Sequence, residues 1–129
     1  MSQRLSKRAG DTWVLTFTGL GVLTGRSKLY WSLKDDVSKA DAAALVQIEE
    51  TAGLQTLNGA SSTAGNGTIV VTAATTDAQA VVTLKPAASV AVVPGTSYQY
   101  ALKVIISGVA TTLAADAFTV DPGVVLAVT

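Results

Sequence analysis

The stretch "GDTWVLTFTG", residues 10–19, decides the fold. Trp13, Leu15 and Phe17 point to one side, while Thr12, Thr16 and Thr18 point to the other. A period of two is the signature of a β-strand with one face buried. Threonine on the open face suits a pleated surface, and the two large rings mark the closed face as core.

The same alternation recurs downstream. In "KLYWSLK" (28–34), Leu29, Trp31 and Leu33 share one face and Tyr30, Ser32 and Lys34 the other. "GTIVVTA" (67–73) sends Ile69 and Val71 inward, with Thr68 and Thr72 outward, and "AVVTLK" (80–85) groups Val82 with Leu84. "TSYQYALKVIISG" (96–108) sets Tyr98, Tyr100, Leu102, Val104 and Ile106 against Gln99 and Lys103, and "DAFTV" (116–120) closes with Phe118 and Val120. Turn residues fall between these runs: Gly19/Gly21, Thr24-Gly25, Asn58-Gly59, Asn66-Gly67, Pro94-Gly95, Ser107-Gly108 and Asp121-Pro122-Gly123. Glycine and asparagine accept the positive φ of tight turns, and proline pre-sets their first central residue. Short alternating strands with turns between them predict an all-β, antiparallel sandwich or barrel.

One segment departs from the period of two. In "DDVSKADAAALVQIEE" (35–50), Ser38 and Asp41 have capping-box spacing and alanines follow. The reading is one short crossover helix near 38–44, then a strand through Leu45, Val46 and Ile48. "AGLQTLNGASSTAGNG" (52–67) is poor in large side chains and reads as loop, as does 73–80. Gly19-x-Gly21 precedes no helix and reads as a hairpin turn rather than a phosphate cradle.

Composition sets the outer bounds. The 129 residues are 49% hydrophobic and only 14% charged, with zero net charge, which opposes disorder and gives no global pull toward nucleic acid or an anionic membrane. Residues 1–10 hold Arg4, Lys7 and Arg8 and no acid. They read as a basic N-terminal arm ahead of a single domain over 11–129, either a solubilising frayed terminus or a partner-docking arm for an acidic neighbour. Asp11 and the threonines break the apolar run that a signal peptide needs, so Asn66-Gly67-Thr68 reads as a turn rather than a glycosylation site.

Chemistry has few parts to work with. There is no histidine and no cysteine, which removes the usual general base, thiolate nucleophiles and zinc ligands. Glu49 and Glu50 are adjacent on a strand and point to opposite faces, and Asp35/Asp36 read as a solvated turn with too few oxygens for calcium. No catalytic, cofactor-binding or metal-binding residue is expected. Trp13, Trp31, Tyr98 and Tyr100 read as core; the competing reading makes them the face of a carbohydrate-binding module, which requires at least two of them to be exposed.

The order of motifs adds a resemblance. "RAGDTWVLTFT", "LTG", "LYWSLK", "DDVSKADAAALVQ", "VPGTSYQYALKV" and "TTLAADAFTVDPGV" together resemble small virion domains of tailed phages related to the immunoglobulin-like N-terminal domain of baseplate upper proteins. Gly10-Asp11-Thr12, Leu23-Thr24-Gly25, Ala44-Leu45-Val46-Gln47, Pro94-Gly95-Thr96 with Tyr98 and Tyr100, and Phe118-Thr119-Val120 carry it in order. The chain departs from the family in a shorter first hairpin (Gly19 to Val22) and an added "AASVAV" (87–92). The resemblance implies an immunoglobulin-like β-sandwich, here of about 7–8 strands, in an inert virion component assembled in the bacterial host cytoplasm, whose partners are other virion proteins. Sparse charge and edge strands that need covering predict a homo-oligomer. A tail or baseplate adaptor is the first expectation, since no receptor-binding domain follows residue 129, and a capsid decoration protein is the alternative. No cofactor, nucleic acid, membrane or small-molecule substrate is implied.

Overall fold

Ten strands assort into two layers in a computed structural model that describes residues 5–35, 44–57, 60–61, 63–92 and 97–121. They are β1 (Leu5–Arg8), β2 (Trp13–Phe17), β3 (Arg26–Lys34), β4 (Val46–Glu49), β5 (Gly53–Leu57), β6 (Ala60–Ser61), β7 (Gly67–Thr72), β8 (Gln79–Leu84), β9 (Ser97–Ile106) and β10 (Val109–Asp121). A 3-10 turn (Ala64–Asn66) precedes β7, and a single helical turn, α1 (Pro86–Ser89), follows β8. The larger sheet runs β1-β10-β9-β3-β4-β5-β6 and the smaller runs β2-β8-β7.

This strand order is that of a variable-type immunoglobulin sandwich. The run β10-β9-β3-β4-β5 reproduces G-F-C-C′-C″, and β2-β8-β7 reproduces B-E-D. The all-β sandwich anticipated from the alternation is therefore the architecture, with ten strands among the described residues rather than 7–8 and one parallel pair, β1 on β10.

The core forms where the two alternating patterns meet. Trp13, Leu15 and Phe17 from β2, with Val82 and Leu84 from β8, face Leu29, Trp31 and Leu33 from β3 and Tyr98, Tyr100 and Leu102 from β9, and all are buried. Phe118 of β10 is the hub: its ring lies 5.2 Å from Trp13, 5.9 Å from Trp31 and 6.3 Å from Tyr100, in tilted or edge-on geometries. Such pairs add about 0.5–1.5 kcal/mol each beyond the area they bury. Trp31 sits on the C strand, where immunoglobulin domains keep a buried tryptophan, but the chain has no cysteine to build the usual inter-sheet disulfide. Aromatic packing of Trp13 on Phe118 joins the layers here.

Several local expectations are corrected. Residues 5–8, read as part of a free arm, pair with Phe118–Asp121 as β1. Leu5 packs against the core, and the Trp13 indole donates to the Arg8 carbonyl at 2.7 Å, so backbone and apolar contacts outweigh the basic character of the segment. The stretch 52–67, read as loop, carries β5 and β6. Its ladder to β4 supplies what its weak hydrophobicity does not, and Leu54 is its one large buried anchor. Gly53 makes this possible: it adopts φ +79°, and a Cβ there would collide with the Ala64 carbonyl oxygen.

Gly19–Val22 is not a hairpin, because β2 and β3 belong to different sheets. The segment crosses between layers, tied by Leu20 N–H to the Ala78 carbonyl and by Gly21 N–H to the Asp77 carboxylate. The second expected loop, 73–80, gives way to β8 at Gln79, whose ladder to β2 and β7 buries Ala80. The helix expected near 38–44 falls almost wholly outside the described residues; Ala44, its last residue, is described and is not helical. The Ser107-Gly108 turn is a two-residue hairpin with φ of 52° and 76°, the type I′ geometry that matches strand twist.

Candidate interaction surfaces

Because one face of each sheet is committed to the core, the two outer faces are the broad surfaces open to contact. On the small sheet the register aligns Val14, Thr83 and Thr68 in one row, and Thr16, Val81 and Val70 in the next, with Gln79 and Thr72 beyond. None of these side chains is charged. Val14 is 48% and Val70 58% exposed, so this face offers apolar groups to its surroundings without an ionic rim inside it.

The outer face of the large sheet is built differently. One row reads Thr112, Lys103, Tyr30 and Glu49 across β10, β9, β3 and β4; the next reads Ala115, Ala101, Ser32 and Gln47; a third holds Ala117, Gln99 and Lys34. Small side chains in the middle row leave a trough of about 230 Å³, lined among others by Ser32, Lys34, Gln99, Ala101, Lys103 and Ala115. Lys28 pairs with Glu49 at 3.7 Å at the margin. A register shift between Thr112 and Ala114 lies at the trough wall, the kind of bulge that re-aims strand side chains.

At the start of β3, Arg26 donates to Glu50 from Nε at 2.8 Å and from Nη2 at 2.6 Å, and from Nη1 to the Leu23 carbonyl. Hydrogen bonding to Glu50 raises the Arg26 pKa against the opposing effect of burial. Glu49 and Glu50 thus serve separate ion pairs and form no shared carboxylate site. Among the described residues, no group of three or more acidic side chains gathers as a metal site, and no helix is long and apolar enough to cross a membrane.

The residues singled out from the sequence are dispersed. Lys7 and Arg8 lie on the edge strand β1, with Arg8 exposed, and Arg4 lies outside the described residues. Trp13, Trp31, Tyr98 and Tyr100 are all at most 3% exposed, which removes the aromatic face a carbohydrate-binding module requires. What sequence reading missed is the middle row. Alternation had already turned Ser32, Gln99 and Lys103 outward, but only register brings Ser32 beside Ala101 and Ala115.

It also missed Ser89. This fully buried hydroxyl donates to the Asp11 carbonyl at 2.6 Å and accepts from Gly10 N–H at 3.1 Å, stapling α1 to the turn before β2.

No protein-family profile and no curated protein matches the chain. Among solved structures, the chain is similar to one described as "Structure-based site-directed photo-crosslinking analyses of multimeric cell-adhesive interactions of VGSC beta subunits", at 10% identity and a TM-score of 0.48, over 95% of this chain and 92% of that one.

Proposed function

We propose that this chain is a non-catalytic structural component of a tailed-phage virion, a tail or baseplate adaptor that acts through contacts with neighbouring subunits, copies of itself among them. The observation that carries the proposal is the outer face of β2-β8-β7. It presents valine and threonine with no charge, on a rigid three-stranded platform. Val70 neighbours Val81 in register and Val14 lies across the sheet on β2, so covering this face removes apolar area from water and strands no ionic group. The order of motifs shared with phage virion domains supplies the setting.

The proposal is tested on purified particles of the phage that encodes the chain. Mass spectrometry detects the protein at a fixed stoichiometry, and cryo-electron microscopy with an antibody fragment places the added density on the tail. Absence from the particles rejects the virion role; density on the head rejects the tail assignment in favour of capsid decoration.

A further inference from the structure

Two sheets give four edge strands, and they are not treated alike. On the large sheet, β6 is only two residues long and β1 carries Lys7 and Arg8. Brevity and charge are two of the ways natural sheets keep an edge from pairing with another chain. On the small sheet, the start of β7 is occupied: Gly67 N–H donates to the Ala64 carbonyl, and Ile48 and Leu54 pack where a Cβ would stand. β2 has none of these defences. It holds no charge, proline or register shift, and no described strand lies beyond it.

Hydrogen-bond parity fixes what that edge offers. Lys85 N–H donates to the Asn66 carbonyl, on the β7 side, whereas Ala78 bonds to Leu20 and Gly21, on the β2 side. Successive residues of a strand alternate sides, so Ala80, Val82 and Leu84 bond to Phe17, Leu15 and Trp13. Val14 and Thr16 therefore aim N–H and C=O away from the sheet, where those groups have no hydrogen-bond partner among the described residues.

We infer that this edge pairs with the same edge of a second copy, antiparallel and centred on Leu15. The inference rests on the adaptor reading, which counts copies of the chain among its partners, and it names the contact. Only a register that sets edge-facing residues opposite one another closes a ladder. Centring on Leu15 does so: Val14 meets Thr16 of the second copy and Thr16 meets its Val14, each pair exchanging both backbone bonds. Both side chains lie on the outer face, so valine opposes threonine and no like charges meet. Pairing also joins the two uncharged faces, because the row Thr16, Val81, Val70 of one copy continues the row Val14, Thr83, Thr68 of the other. No charge on β2 selects an acidic or basic strand of another protein instead.

The test is amide hydrogen exchange, read by NMR on the isolated chain at about 20 μM and about 1 mM; exchange at Val14 and Thr16 slows by about tenfold or more at the higher concentration. Ile69 and Val71, which face the β7 edge, do not change. Register is read by cross-linking, since the chain has no native cysteine. Val14→Cys mixed with Thr16→Cys forms a disulfide dimer about tenfold faster than either variant alone, because only the mixed pair is directly opposed. Thr16→Pro removes an edge-facing N–H without touching the bonds to β8, and it abolishes the concentration dependence. Where proline disturbs the strand, Thr16→Lys at the same exposed position keeps the fold and weakens the dimer by about tenfold.

Protection of Val14 and Thr16 at both concentrations overturns the inference, as does fast exchange at both. So does protection that appears at Ile69 and Val71 instead, or cross-linking equally fast in all three mixtures. The test uses no particles. Its failure with a chain present on the tail removes only the β2 contact, and a dimer formed by a chain absent from particles removes the adaptor reading while the pairing stands.

Discussion

The two outer faces of the sandwich are backed by the same core yet present opposite chemistry. The small sheet shows valine and threonine without charge, while the large sheet shows Lys28, Lys34, Lys103 and Glu49 around a trough floored by alanine. A domain that merely needed to stay dispersed would spread its charge over both. The asymmetry leaves one uncharged face of threonine and valine and one charged, indented face. Ser32 and Ser89 differ on a smaller scale: the Ser89 hydroxyl is bonded to backbone on both sides, while the Ser32 hydroxyl, like the Trp31 indole N–H, has no hydrogen-bond partner.

If both faces depend on one core, its hub removes both at once. Phe118→Ala deletes the ring that touches Trp13, Trp31 and Tyr100, and is expected to cost about 4 kcal/mol, read as a drop in the urea midpoint with loss of near-ultraviolet dichroism. A change below about 1 kcal/mol would mean that the layers are held by something other than this cluster.

Gly53→Ala separates the sheets. It forces a positive φ on alanine and drives a Cβ into the Ala64 carbonyl, for an expected loss of roughly 3 kcal/mol. Hydrogen exchange should accelerate first in β5 and in the Ala64–Asn66 turn, while β2 and β8 stay protected until global unfolding. Uniform acceleration would contradict that separation.

Ser89→Ala is smaller, about 1–2 kcal/mol, because it strands the Gly10 N–H and the Asp11 carbonyl that the hydroxyl now joins. Differential scanning calorimetry on Ser89→Ala and Ser32→Ala side by side sharpens the contrast. The first lowers the midpoint by several degrees and the second leaves it within about one degree or raises it.

Much of this was legible in the sequence where side chains alternate over long strands. Trp13, Leu15 and Phe17 against the threonines fixed one layer, Leu29, Trp31 and Leu33 the other, and all six are buried. Elements held by backbone ladders were not legible. Leu5–Arg8 is basic and short, and Gly53–Leu57 opens on glycine and shows no clean alternation, so each is a strand largely because β10 and β4 offer a paired edge. The trough was hidden for a related reason. Ser32, Ala101 and Ala115 stand far apart along the chain, and only the register of three strands makes them neighbours.

The central claim is that the uncharged face of β2-β8-β7 is the docking surface. It is tested most directly by producing particles with Val14→Lys and Val70→Lys combined and measuring copies per particle by quantitative mass spectrometry. Both valines are exposed, so the isolated variant should lose less than about 1 kcal/mol of stability. The account predicts that its copy number falls by tenfold or more, because lysines held in an apolar contact are left desolvated and unpaired. An undiminished copy number, in a variant whose thermal midpoint is unchanged, would contradict it.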